Sequence, residues 1–138
     1  MEDVTINYLS LFAAAITAVV LGLIWYSPLV FGRQWMAASG MTPEKMEARK
    51  KRASFAVIGG FLCQIITAYV LVHFAILFDV ATIPQALAFA FWAWLGFTAA
   101  TSLHAVFWEG KPMAYWAINA GYQLATFGAM SLILALWR

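Results

Sequence analysis

Nothing constrains this chain more than where its charges are missing. Eight basic and six acidic residues leave four windows free of formal charge, at 4–32, 53–78, 80–108 and 112–137. Each exceeds the roughly 20 residues that an α-helix needs to cross about 30 Å of hydrocarbon. Barrel strands of about 9–11 residues with alternating polarity do not match such uninterrupted segments. Composition closes off the other classes. Of the 138 residues 64% are hydrophobic and only 10% charged, too few charges to cover a soluble domain of this size. An aromatic content of 17% excludes a disordered chain, and a net charge of +2 gives no footprint for nucleic acid. The expectation is an all-α polytopic membrane protein in one domain, 1–138. Four transmembrane helices, over about 5–31, 54–78, 84–108 and 113–137, form a bundle of two hairpins.

Basic residues set the expected orientation. Arg33, Lys45, Arg49, Lys50, Lys51 and Arg52 fall in the loop 33–52, and Lys111 in the last connection, against Arg138 alone at the other side. The positive-inside rule puts both basic connections in the cytoplasm and both termini outside. Glu2 and Asp3 precede the first helix, and the start has neither a basic n-region nor a small-residue cleavage pattern, so it reads as a retained span.

Local punctuation agrees with these segments. Gly110-Lys111-Pro112 ends one helix with glycine and opens the next with proline, and Pro84 opens the third helix. Gly32 closes the first, with Pro28 in its last turn. Thr42-Pro43-Glu44 reads as an N-cap, a first-turn proline and an early acid, and Glu47 and Lys51 stand at i, i+4, so the basic loop contains a helix. Trp25, Tyr26, Trp35, Trp108, Tyr115 and Trp116 mark one interface, Tyr8 and Trp137 the other. Trp92 and Trp94 lie deeper and need packing or hydrogen-bond partners.

Residues able to carry chemistry are few. Cys63, the only cysteine, reads as a small buried residue. His73 and His104 lie on different helices with no ligand spacing around them, so no metal or cofactor is expected. No charge sits at mid-span, which argues against proton-coupled transport, and no nucleophile–base pair points to an enzyme. Counting equal rise from the last turn sets Thr98, Thr101 and His104 level with Asn119 and Gln123. The five form a candidate polar seam, with His104 and Asn119 expected within hydrogen-bonding reach, directly or through one water. Two ridges of small residues, Ala117–Gly121–Ala125–Gly128 and Ala14–Ala18–Gly22, are candidate surfaces for a homo-oligomer.

Several blocks also carry a family resemblance: Asn7-Tyr8-Leu9, Trp25-Tyr26-Ser27-Pro28, Phe31-Gly32, Trp94-Leu95-Gly96-Phe97, Glu109-Gly110-Lys111-Pro112 and Ile118-Asn119-Ala120-Gly121-Tyr122. Over essentially its whole length the chain resembles a family of small four-helix prokaryotic integral membrane proteins known only as a domain of unknown function. The resemblance implies the fold and a multi-pass location in a prokaryotic cytoplasmic membrane, and brings no activity, substrate or catalytic residue with it. Gln123 stands where the resemblance leads one to expect histidine, which counts against a metal or proton site there. The functional expectation is a non-enzymatic, self-associating structural or partner-binding module in the lipid bilayer. The alternative is an uncoupled channel or transporter for a small solute or ion, formed by a homo-oligomer.

Overall fold

The computed structural model describes residues 4–138; Glu2 and Asp3, the acids expected before the first helix, lie outside them. Among the described residues four helices are long and apolar enough to cross a membrane: α1 (Tyr8–Trp25), α4 (Ala53–Leu77), α5 (Ile83–Glu109) and α6 (Met113–Leu136). Between the first two lie the short helices α2 (Gly32–Ser39) and α3 (Pro43–Lys51).

Local chemistry explains where these helices begin. Asn7 caps α1, its Oδ1 accepting from the amides of Leu9 and Ser10 at 3.1 and 3.3 Å. Thr42 caps α3 ahead of Pro43 by accepting from Lys45 N. A reciprocal capping box opens α5: Thr82 Oγ1 accepts from Gln85 N, and Gln85 Oε1 accepts from Thr82 N. Gly110 ends α5 at a φ of 68°, a left-handed conformation that glycine adopts without steric cost.

Three features depart from the reading of the sequence. The first helix stops at Trp25, short of residue 31, because Pro28 has no N–H to give Ile24 O. Ser27 takes that carbonyl with both its amide, at 3.1 Å, and its hydroxyl, at 2.7 Å. Gly32 therefore opens α2 rather than closing α1. On α3, Glu47 pairs with Lys50 at 3.5 Å, not with Lys51. Within α5, Leu95–Ala99 is a π-helical turn, Ala100 N–H reaching back to Leu95 O. This turn has no proline or paired glycine to announce it.

The bundle is organised around α6, which buries 44% of its spanning window against 17–28% for the other three. It packs along α1, α4 and α5, and α1 also packs along α4. Helix α5 leans on α6 and makes at most slight contact with α1 and α4. The main core joins Leu11, Ala14 and Ala18 of α1 to Ala68 and Leu71 of α4 and to Met130 of α6. The second core cluster, Ala75, Val80, Ala86 and Ala135, lies at the end away from α3. There Arg138 pairs with Asp79 at 3.4 Å and also donates to Val80 O.

Ser131 is 1% exposed, and its hydroxyl has no hydrogen-bond partner among the described residues. A buried orphan hydroxyl is a cost that alanine removes. Ser131→Ala is accordingly expected to leave stability unchanged or raise it by up to about 1 kcal/mol. Denaturant titration of the purified protein in detergent checks this, and a clear loss of stability would contradict it.

Candidate functional site

The Trp-Tyr-Ser-Pro turn at the end of α1 and the Ile-Asn-Ala-Gly-Tyr stretch of α6 meet at the end of the bundle that carries α3. Trp25 Nε1 donates to Ile118 O at 3.0 Å, and Tyr26 Oη donates to Asn119 Oδ1 at 2.6 Å. Tyr122 Oη returns the tie, donating to Ala18 O on α1 at 2.8 Å while accepting from Gln64 Nε2 of α4 at 3.4 Å. The Tyr26 and Tyr122 rings meet edge to face with centroids 5.4 Å apart, and Trp35 of α2 closes on Tyr26 at 5.7 Å. Glycines make room for this latch: a Cβ on Gly22 would stand 3.0 Å from Tyr122 Oη, and one on Gly121 would stand 3.0 Å from the Trp25 ring.

A second pair of indoles ties α5 to α6. Trp94 Nε1 donates to Ala120 O at 2.7 Å, and Trp116 Nε1 donates to Ala99 O at 3.0 Å. Helix carbonyls have a second lone pair to offer, and an indole N–H in a low-dielectric site needs a partner. Trp25, Tyr26 and Trp116 are thus hydrogen-bonded into the bundle as well as sited at its end, a role that the interfacial reading of aromatic residues did not separate from anchoring.

The five residues of the expected polar seam are not brought together. Asn119 meets Tyr26, the residue that caps α1, rather than His104 of α5, and the His104 side chain is exposed. Thr101 is also exposed and donates to Phe97 O of its own helix at 2.9 Å. Thr98 and Gln123 are half-buried. Among the described residues one hydrogen bond joins two of the five, from Thr101 Oγ1 to Thr98 O at 3.2 Å, and it stays within α5. His73 bonds Tyr69 O at 2.7 Å, and Cys63, expected to be buried, is exposed.

The two small-residue ridges have different fates. Ala14 and Ala18 are 0% exposed and Gly22 faces Tyr122, so the first-helix ridge packs inside the bundle. On α6, Gly121 lies under Trp25, whereas Gly128 has nothing within 4 Å of an added Cβ, Ala117 is exposed and Ala125 partly so.

Because α5 has one close neighbour, a cavity of about 640 Å³ opens between it and α4. Ile66, Val70 and Phe74 form one wall, Phe89, Trp92 and Phe97 the other, with Phe127 of α6 between them. Among the described residues no three His, Cys, Asp or Glu side chains gather into a metal site.

Comparison with known proteins finds no matching curated protein and no matching solved structure. Residues 9–135 match the family model described as "Protein of unknown function (DUF1761)", and with nearly the whole chain covered, the protein belongs to that family.

Proposed function

We propose that the chain is a non-enzymatic, self-associating membrane module that binds its partner, a second copy of itself, from within the plane of the bilayer. The attachment of α5 to α6 alone carries this reading. It leaves the aromatic cavity between α4 and α5 open, and Ala117, Ala125 and Gly128 of α6 are at least partly uncovered. Lipid-facing positions gain nothing from being small, whereas a helix approaching over Ala125 and Gly128 gains close van der Waals packing. A carbon-walled cleft suits an apolar helix and offers little to a hydrated ion. The two hairpins sit with both termini outside and residues 33–52 in the cytoplasm, an orientation supported by the basic residues.

Photobleaching step counts on labelled protein in native nanodiscs test the proposal. The wild type is expected to give dimers or larger assemblies, and Gly128→Leu is expected to shift the distribution towards monomers with the fold intact. Gly121→Leu is the poorer probe, since its side chain would strike Trp25 inside the bundle. A wild type that is monomeric at every protein density overturns self-association. Solute or ion flux through reconstituted protein would replace this reading with the homo-oligomeric channel.

A further inference from the structure

Beside the α1–α4 seam, two hollows share their lining. The outer one, about 300 Å³, lies where α3 hands over to α4 and is bounded by Arg49, Lys50, Met46 and Ala53 together with Ala56 and Val57. Ala56 and Val57 also belong to the inner one, about 360 Å³, which runs between α1 and α4 past Leu23, Gly60 and Phe61 as far as Gln64. The first is cationic at its mouth; the second is walled mainly by carbon, with Tyr26, Gln64 and Tyr122 also in its lining. Gly60 keeps the track open, for nothing lies within 4 Å of where its Cβ would stand. From Ala53 to Gln64 the track follows α4 for about 16 Å, at 1.5 Å per residue. That is close to the depth of one leaflet, half of a hydrocarbon core of about 30 Å.

The cations stand just before the apolar span of α4, where a helix crossing the bilayer meets the headgroups. Arg52 lies over the ring of Phe55, 5.8 Å from its centroid, and Phe55 is 73% exposed on the first turn of an apolar helix. Arg49 stacks on Trp35 at 4.8 Å, which fixes its guanidinium beside the hollow. The ion pair of Lys50 with Glu47 is exposed on both sides and hence weak, so it leaves the ammonium free to take a better partner. Glu44 and Glu47 are the only acids in the segment 33–52, against six basic residues.

We infer that this track is a binding site for an anionic phospholipid, with the headgroup phosphate held by Arg49 and Lys50 and one acyl chain lying in the cleft along Val57, Gly60 and Leu23. Arginine offers a bidentate fork to phosphate and lysine a point charge, and a headgroup with net negative charge is favoured over a zwitterionic one whose amine the same cations repel. The site belongs to one bundle and stands whether or not the protein self-associates.

The test is electron paramagnetic resonance of the full chain in phosphatidylcholine vesicles, doped in turn with spin-labelled phosphatidylglycerol and spin-labelled phosphatidylcholine. Motional restriction of the label gives the relative association of each lipid with the protein. For the wild type, phosphatidylglycerol is expected to be favoured about fivefold or more. The double variant Arg49→Gln/Lys50→Gln should bring that ratio close to one. Gly60→Leu keeps every charge but fills the cleft, and should lower the ratio at least twofold with helix content unchanged. A wild-type ratio near one overturns the inference, as does a preference that survives the double variant. A Gly60→Leu protein with the full preference also overturns it, because the selectivity would then be a property of surface charge without a site.

Discussion

Gly32→Ala is expected to destabilise the protein by about 1–3 kcal/mol, the range for forcing extra atoms into a packed region. An added Cβ at this position would stand 2.4 Å from Tyr26 O and 2.7 Å from the carbonyl carbon and oxygen of Ser27. These are main-chain atoms, so no side chain can swing away to relieve the clash. The amide of Gly32 already bonds Ser27 O at 2.9 Å, and Phe31 N bonds Trp25 O at 3.0 Å, holding the turn closed. Opening it would pull Trp25 and Tyr26 away from Ile118 and Asn119. Gly59→Ala is the matched control, with open space around it on α4 and a gain in helix propensity. Unfolding midpoints in one detergent compare the two, and equal midpoints would remove the steric account of Gly32.

A loss of similar size is expected for Ala18→Leu. Ala18 is fully buried where α1, α4 and α6 meet, and its carbonyl accepts the Tyr122 hydroxyl. Leucine there must displace α1 from its neighbours, at a cost of about 1–3 kcal/mol from overpacking, with up to about 1.5 kcal/mol more if the Tyr122 hydrogen bond is lost. Gly128→Leu makes a larger change of side chain on α6 with nothing within 4 Å, and its midpoint should stay within about 1 kcal/mol of wild type. If the two variants unfold alike, the assignment of the first-helix ridge to the bundle interior fails.

The four long helices were legible because a run without charge is a property of the sequence itself and the bilayer sets its minimum length. The cap at Thr42 was legible for a related reason, since it is a contact within four residues of chain, whereas at the start of α5 only Pro84 was read and the Thr82–Gln85 capping box was missed. The polar seam was not legible. Its depth-matching assumed uniform α-helical rise from the last turn to Thr98, but α5 is interrupted at Leu103, between Thr101 and His104, and Thr98 itself lies in the π turn Leu95–Ala99, so the phase of α5 is not that of one regular helix. Periodicity also shows which side of α6 is polar without naming the neighbour that takes it. Asn119 found Tyr26, a residue 93 positions away whose ring spans the gap that two straight helices would leave. Tryptophan and tyrosine are ambiguous in a membrane sequence, because the same amphipathic ring serves as an interfacial float or as a donor to a neighbouring carbonyl.

The paired indoles of α5 and α6 have a mechanical consequence. Trp94 of α5 reaches Ala120, and Trp116 of α6 reaches Ala99, so the two ties run in opposite directions and are spaced by about 7 Å along the axis. One tie would permit α5 to pivot about it. Two resist both sliding and rolling, since either motion stretches at least one of them. Because α6 is itself packed along α1 and α4, α5 is held to the rest of the bundle mainly through this riveted seam, having little contact of its own with those two helices. The width of the cavity between α4 and α5 is therefore set by the way α5 is tied to α6. The indoles thereby act as rivets that hold that gap open at a fixed width.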